Sequence, residues 1–239
     1  DNFKKEKKST ILNSKKEFQF INYQLKNVSF KYPETDKLIL NKINMNFSKG
    51  EKIGIIGTTG SGKTTLVNII ANLIEVSQGQ VLLNNEDIKK DFKAFQKNIG
   101  YISPDTFLVD KSILFNITFK NNDQVDQDNL MKIIEIVELK DFVSRLPNGL
   151  DTNVGEEGTR FSLGQRQRIG IARAIFQNPQ ILILDEATSF LDENTEKSIL
   201  EAIFNRMRDK TILTVSHRKN PLKFCNTIYE IKNQKLIKL

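Results

Sequence analysis

The chain has 239 residues, 38% of them hydrophobic and 27% charged, with a net charge of +7. That balance excludes a disordered chain, and no run of 18 or more apolar residues is present to cross a bilayer. The positive charge points to polyanions, whether nucleotide, nucleic acid or an anionic membrane face, while a single cysteine, Cys225, excludes an internal disulfide and fits a reducing compartment.

Residues 1–18 are rich in lysine (Lys4, Lys5, Lys7, Lys8, Lys15 and Lys16) and read either as a solvated linker or as a juxtamembrane segment drawn to anionic lipid. They contain no apolar core of a signal peptide, and the first residue is Asp1, which suggests an excised piece or a processed product. From Phe20 the pattern becomes that of short alternating strands. Leu25, Val28 and Phe30 lead to Tyr32-Pro33; Leu38, Ile39, Leu40, Ile43, Met45 and Phe47 follow; and Ser48-Lys49-Gly50 turns the chain.

Ile53-Gly54-Ile55-Ile56 then reads as a short buried strand running into Gly57-Thr58-Thr59-Gly60-Ser61-Gly62-Lys63-Thr64, which fits G-x-x-x-x-G-K-S/T. Leu66, Ile69, Ile70, Leu73 and Ile74 recur at helical spacing, so the loop joins a strand to a helix. Glycines let successive backbone N–H groups turn inward as an anion nest, and the helix N-terminus adds partial positive charge. Lys63 is suited to reach terminal phosphates and the Thr64 hydroxyl to ligate Mg²⁺, which together predict a nucleoside-triphosphate site.

Gly79-Gln80-Val81-Leu82-Leu83 with Asn84-Asn85 predicts a further strand and turn. Residues 105–164 read instead as a helical insertion, with Asp128 expected to cap a helix carrying Leu130, Ile133, Ile134 and Val137. A helix is expected after Gly164, burying Ile169, Ala172, Ile175 and Phe176 and closed by Pro179. Ile181-Leu182-Ile183-Leu184 runs without alternation into Asp185-Glu186, as a strand covered on both faces does. Ile212-Leu213-Thr214-Val215 does the same into Ser216 and His217, the chain's one histidine, with Leu200, Ile203, Phe204 and Met207 marking a crossover helix between. In parallel sheets ligands gather at strand carboxyl ends. Asp185 is therefore expected to hold Mg²⁺ through water, Glu186 to take a proton from attacking water, and His217 to donate a hydrogen bond to the γ-phosphate or that water. The fold class is α/β: a P-loop NTPase (RecA-like) core with an antiparallel β subdomain and an inserted α-helical subdomain.

Phe161-Ser162-Leu163-Gly164-Gln165-Arg166-Gln167-Arg168 resembles the signature LSGGQ followed by QR. With it, residues from about Phe20 onward closely resemble the nucleotide-binding domain of ATP-binding cassette (ABC) transporters of the exporter type. The resemblance implies a domain over 19–239, ATP as substrate, Mg²⁺ as cofactor and ATPase activity in which Lys63, Glu186 and His217 take part. It assigns Tyr32 to adenine stacking, Gly57 to Thr65 to the phosphates, Asp185-Glu186 to the end of the Walker B strand and Ser189-Phe190-Leu191-Asp192 to the D-loop. Ser162, at a helix N-terminus, would form a second anion site; two anion sites for one triphosphate suggest a head-to-tail dimer. Ser162, Gly164, Gln165 and Asp192 would then meet ATP in trans, on a second nucleotide-binding domain. Val154-Gly155-Glu156-Glu157-Gly158 resembles the loop that touches a transmembrane partner, implying the cytoplasmic face of a membrane, in a bacterium the inner or plasma membrane, and no nucleic-acid partner. The plainer alternatives are a simple helix cap for Ser162 and an edge-strand residue packing on Pro33 for Tyr32. Two departures stand out. Tyr101-Ile102-Ser103-Pro104 has proline where the family's Y-x-x-Q has glutamine, leaving Ser103 as the nearest replacement or a site that turns over slowly, and Leu163 replaces a glycine of the signature.

Overall fold

A computed structural model describes residues 18–90, 92–120 and 122–239, so the expected linker, apart from Phe18, lies outside the described residues. The first two apolar patterns form β1 (Asn22–Phe30) and β2 (Leu40–Ser48), paired antiparallel. Tyr23 and Leu25, then Val28 and Phe30, point inward, one residue out of phase with strict alternation. A register shift between Leu25 and Val28 absorbs the extra residue, with Asn27 at φ 50°.

β3 (Lys52–Ile56) leads through the glycine-rich loop into α1 (Lys63–Ile70). The helix stops before Leu73 and Ile74, which the spacing had included. Asn72 turns left-handed (φ 54°), and N–H groups of Asn72 and Leu73 close back on the carbonyls of Ile69 and Asn68. That pair of bonds is a Schellman ending, which leaves Leu73 exposed. β4 (Gln78–Leu83) and β5 (Glu86–Asp87) form a hairpin through Asn84 and Asn85, both at positive φ. β4 also pairs with β1, completing an antiparallel sheet in the order β2-β1-β4-β5.

After α2 (Phe92–Lys97) and β6 (Ile99–Ile102) come the helices of the insertion, α3 (Ile113–Thr118), α4 (Gln127–Ile136) and α5 (Lys140–Ser144). The cap of α4 is Asp126, whose carboxylate accepts the Asn129 N–H at 3.1 Å; Asp128, expected in that role, lies in the first turn. α6 (Leu163–Phe176) begins one residue before Gly164, since Ser162 is its N-cap, and Phe176 is only partly buried. β7 (Ile181–Asp185), α7 (Glu193–Arg206), β8 (Thr211–Val215), α8 (Lys219–Leu222), β9 (Thr227–Lys232) and β10 (Lys235–Lys238) complete the order.

The second sheet runs β10-β9-β3-β8-β7-β6, parallel from β9 to β6 with β10 antiparallel at the edge. Its two faces belong to two cores. Ile181 and Ile183 join the core built on the antiparallel sheet and α1, whereas Leu182 and Leu184 join the core built on α4, α6 and α7. Burial on both faces explains why β7 shows no polar alternation. The arrangement is the expected α/β one, an antiparallel sheet and a set of inserted helices flanking a mostly parallel sheet.

Candidate nucleotide site

Four neighbouring parallel strands deliver the site. β3 ends at the glycine-rich loop, β8 at Ser216-His217, β7 at Asp185-Glu186 and β6 at Ser103-Pro104. Above these carboxyl ends lies a cleft of ≈ 760 Å³. Its wall carries Gly57, Thr58, Thr59, Gly60, Gly62, Lys63, Thr64 and Thr65 on one side, Pro104, Glu186 and His217 on another, and Tyr32 at the mouth. Only Ser61 of the loop lies off the wall: its buried Oγ sits beneath Gly57, where a Cβ would meet it at 2.6 Å and the Ile231 carbonyl at 2.9 Å. Glycine at 57 is thus a steric requirement, and Gly62, at φ 104°, is the N-cap of α1.

Lys63 is buried, and its Nζ donates to the carbonyls of Gly57 (2.9 Å) and Thr58 (3.1 Å), holding the ammonium inside the loop. Asp185, 1% exposed, accepts a hydrogen bond from the Tyr101 hydroxyl at 3.3 Å and one from the Thr64 side chain. Burial pushes the Asp185 carboxyl above the usual range, opposed by those bonds and by the Lys63 charge. Burial and the Asp185 charge raise Tyr101 in turn, keeping it a protonated donor. Among the described residues no group of three or more His, Cys, Asp or Glu gathers to hold a metal alone. A hydroxyl and a carboxylate beside a phosphate-binding loop nevertheless fit Mg²⁺, a hard cation that takes few protein ligands and completes its shell with phosphate oxygens and water.

Glu186 sits at φ 50°, strained for a non-glycine residue, with its N–H bonded to the Val215 carbonyl at 3.1 Å. Its Oε1 lies 3.6 Å from Nδ1 of His217, a side chain 60% exposed. Tyr32 is 42% exposed, its ring set edge-on against Phe30 at 5.0 Å and its hydroxyl 3.3 Å from Thr65 Oγ1. Phe30 thus supports the ring and leaves it at the cleft. The Ser103 hydroxyl donates to the Asp105 carbonyl at 2.7 Å, and Ser103 does not line the cleft.

Ser162, Gly164, Gln165 and Asp192 do not line this cleft. Ser162 and Gln165 form a reciprocal capping box: Ser162 Oγ accepts the Gln165 N–H at 3.2 Å, and Gln165 Oε1 accepts the Ser162 N–H at 2.9 Å. Gly164 packs under the Phe190 carbonyl, and Asp192 caps α7 by accepting the Thr195 N–H; hydrogen bonds from the Thr195 side chain and then its backbone hold the Asp192 carboxyl below the usual range. The signature residues therefore sit at a helix N-terminus separate from that of α1. Three contacts escaped the sequence pattern: Tyr101 on Asp185, Gln167 on the Phe190 N–H, and Arg218 on the Ser189 carbonyl. The first follows from the register Tyr101↔Ile183, which no spacing along one strand reveals.

Fold and site together define a P-loop nucleoside-triphosphatase domain with a signature helix. The ABC transporter family model matches residues 40–189, and the chain belongs to that family. It is 32% identical over 90% of its length to an "ATP-dependent lipid A-core flippase" of Photobacterium profundum, and 34% identical over 88% to a protein of the same description from Methylobacillus flagellatus. A solved structure described as a bacterial Atm1-family ABC exporter with ATP bound superposes with a TM-score of 0.84 at 29% identity, covering 91% of this chain and 38% of that one. The chain spans about 37% of the length of the curated relatives it matches. Among the described residues no helix is long and apolar enough to cross a membrane.

Proposed function

We propose that the chain is the ATP-hydrolysing motor domain of an exporter-type ABC transporter, working as a head-to-tail dimer that drives a transmembrane domain. The observation that carries this reading is the meeting of the glycine-rich loop, Glu186 and His217 in one cleft. Tyr32 stacks on the adenine, and the N–H groups of Gly57 to Thr65 with Lys63 hold the phosphates. Thr64 and Asp185 hold Mg²⁺, which when bound neutralises charge on the phosphates. Glu186 takes the proton as water attacks the γ-phosphorus and the bond to the β–γ bridging oxygen breaks, leaving ADP and phosphate. His217 donates a hydrogen bond to the γ-phosphate.

Ser162, Gly164, Gln165 and Asp192 act in trans, closing the nucleotide site of a second nucleotide-binding domain; their separation from the chain's own cleft supports that assignment. Val154 to Gly158 meets the transmembrane partner, and residues 1–18 join it from the cytoplasmic face, in a bacterium that of the inner membrane. Residues 19–239 form the motor, with the helical subdomain over about 105–164. The lipid A-core and Atm1-family descriptions of the relatives name different exporters, and the transmembrane segments, not this chain, select the cargo.

Glu186→Gln removes the base and spares the phosphate loop. With Mg-ATP this variant is expected to elute as a dimer in size-exclusion chromatography, and the parent chain to return to monomer as ATP is consumed. A monomeric variant at saturating ATP and all protein concentrations would count against the sandwich.

A further inference from the structure

The segment Thr188–Asp192, between Glu186 and α7, has its backbone held from two sides. From α6, Gln167 Oε1 accepts the Phe190 N–H at 3.1 Å. From the other side Arg218, the residue after His217, donates through Nη2 to the Ser189 carbonyl (3.0 Å) and through Nη1 to that of Leu191 (3.5 Å). The Arg218 backbone is itself anchored, its N–H donating to Ser216 Oγ at 2.9 Å. Behind it lies Glu196 of α7, 1% exposed, whose Oε1 is 3.6 Å from Arg218 Nη1 and accepts the Thr188 hydroxyl at 2.6 Å.

Arg218 therefore links the turn after β8, held through its backbone, to two loop carbonyls and a buried carboxylate, held through its guanidinium. A planar fork of donors suits that task, which a flexible ammonium would not fulfil with the same geometry. A cavity of ≈ 510 Å³ opens beside it, bordered by Leu191, Glu196 and Arg218. On that side the fork joins the His217 segment to the loop, next to a second link in which Asn220 Nδ2 donates to Glu193 Oε1 at 2.8 Å.

We propose that Arg218 is a positioning residue that transmits displacement of the His217 segment to Ser189–Leu191, and so carries nucleotide occupancy of the cleft to the loop bearing Asp192. The proposal rests on the nucleotide reading of the cleft given above. A purely structural role, neutralising Glu196, would leave the loop's response to nucleotide untouched once Glu196 itself is neutralised.

The test uses the 239-residue chain carrying Glu186→Gln as parent and compares it with Arg218→Met/Glu196→Gln in that background. The pair avoids the unfolding expected of Arg218→Met alone, which leaves a buried charge unpaired. Amide hydrogen exchange of a peptide covering 187–193 is followed with and without Mg-ATP, at a dilution where size-exclusion chromatography gives monomer in both states, beside the Mg-ATP dissociation constant. In the parent, Mg-ATP slows exchange in this peptide by about tenfold. In the double variant the slowing falls below about twofold while the dissociation constant changes by less than about twofold. Arg218→Lys is intermediate, and Glu196→Gln alone responds as the parent does. A double variant responding like the parent would reduce Arg218 to a counter-charge and overturn the proposal. So would a parent that binds Mg-ATP without any response in this peptide, an outcome that leaves the ATPase reading standing. A parent that fails to bind Mg-ATP removes the nucleotide reading and the proposal with it.

Discussion

Pro104 borders both the nucleotide cleft and a neighbouring groove of ≈ 240 Å³ that reaches Glu157, Leu163 and Phe190. Its ring offers neither a donor nor a ligand, and the Ser103 hydroxyl is committed to the Asp105 carbonyl. The 103–104 segment thus lacks a glutamine-like amide toward the cleft, while on the proposed reading the phosphate loop and Tyr32 remain for binding. Phosphoryl transfer depends on positioning and charge stabilisation, so the loss falls on turnover more than on affinity. Pro104→Gln is expected to raise steady-state hydrolysis by about tenfold, ~1.4 kcal/mol of barrier, with the Mg-ATP dissociation constant nearly unchanged. Glu186→Gln serves as the inactive reference. A parent rate well above that reference, and unmoved by Pro104→Gln, would mean that another group fills the role. Tyr101, with its hydroxyl on Asp185, would be the first to test.

Helix ends decide the placement of the site elements. α6 begins at a capping box whose two bonds satisfy N–H groups of Ser162 and Gln165, so the signature stretch is ordered by bonds within its own chain. α4 shows the same logic with a simpler cap. Because Asp126 rather than Asp128 accepts the Asn129 N–H, Asp126→Ala should destabilise the fold by about 1 kcal/mol, with Asp128→Ala costing less than half of that. Urea denaturation of the two variants measures the difference, and equal losses would contradict the cap assignment.

Two hydrophobic cores share the central sheet of the whole molecule, and β7 contributes alternate side chains to each. A strand common to both cores cannot be lost from one without exposing the other, which predicts a single cooperative unfolding transition. Leu182→Ala and Ile183→Ala, on opposite faces, should each cost about 2–5 kcal/mol and lower the same transition. Calorimetry showing two separate transitions, one sensitive to each variant, would refute the shared-core account.

The sequence by itself determined whatever depends on neighbours along the chain. The phosphate loop was legible because strand, loop and helix are continuous there. β7 and β8 were legible from unbroken apolar runs, and the signature helix from its own spacing. Local patterns failed where two local solutions compete: Asp126 and Asp128 both suit a cap, and only the path of the chain into α4 selects one. The end of α1 depended likewise on Asn72 turning left-handed, against apolar spacing that continued to Ile74. Only the tertiary structure decided the contacts between residues distant in the chain. Tyr101 reaches Asp185 because β6 and β7 pair in one register. Arg218, Glu196 and Thr188 meet because the end of β8 packs beside the start of α7. Hydrogen bonds of this kind are set by register and packing across elements, and spacing along a single element carries no record of them.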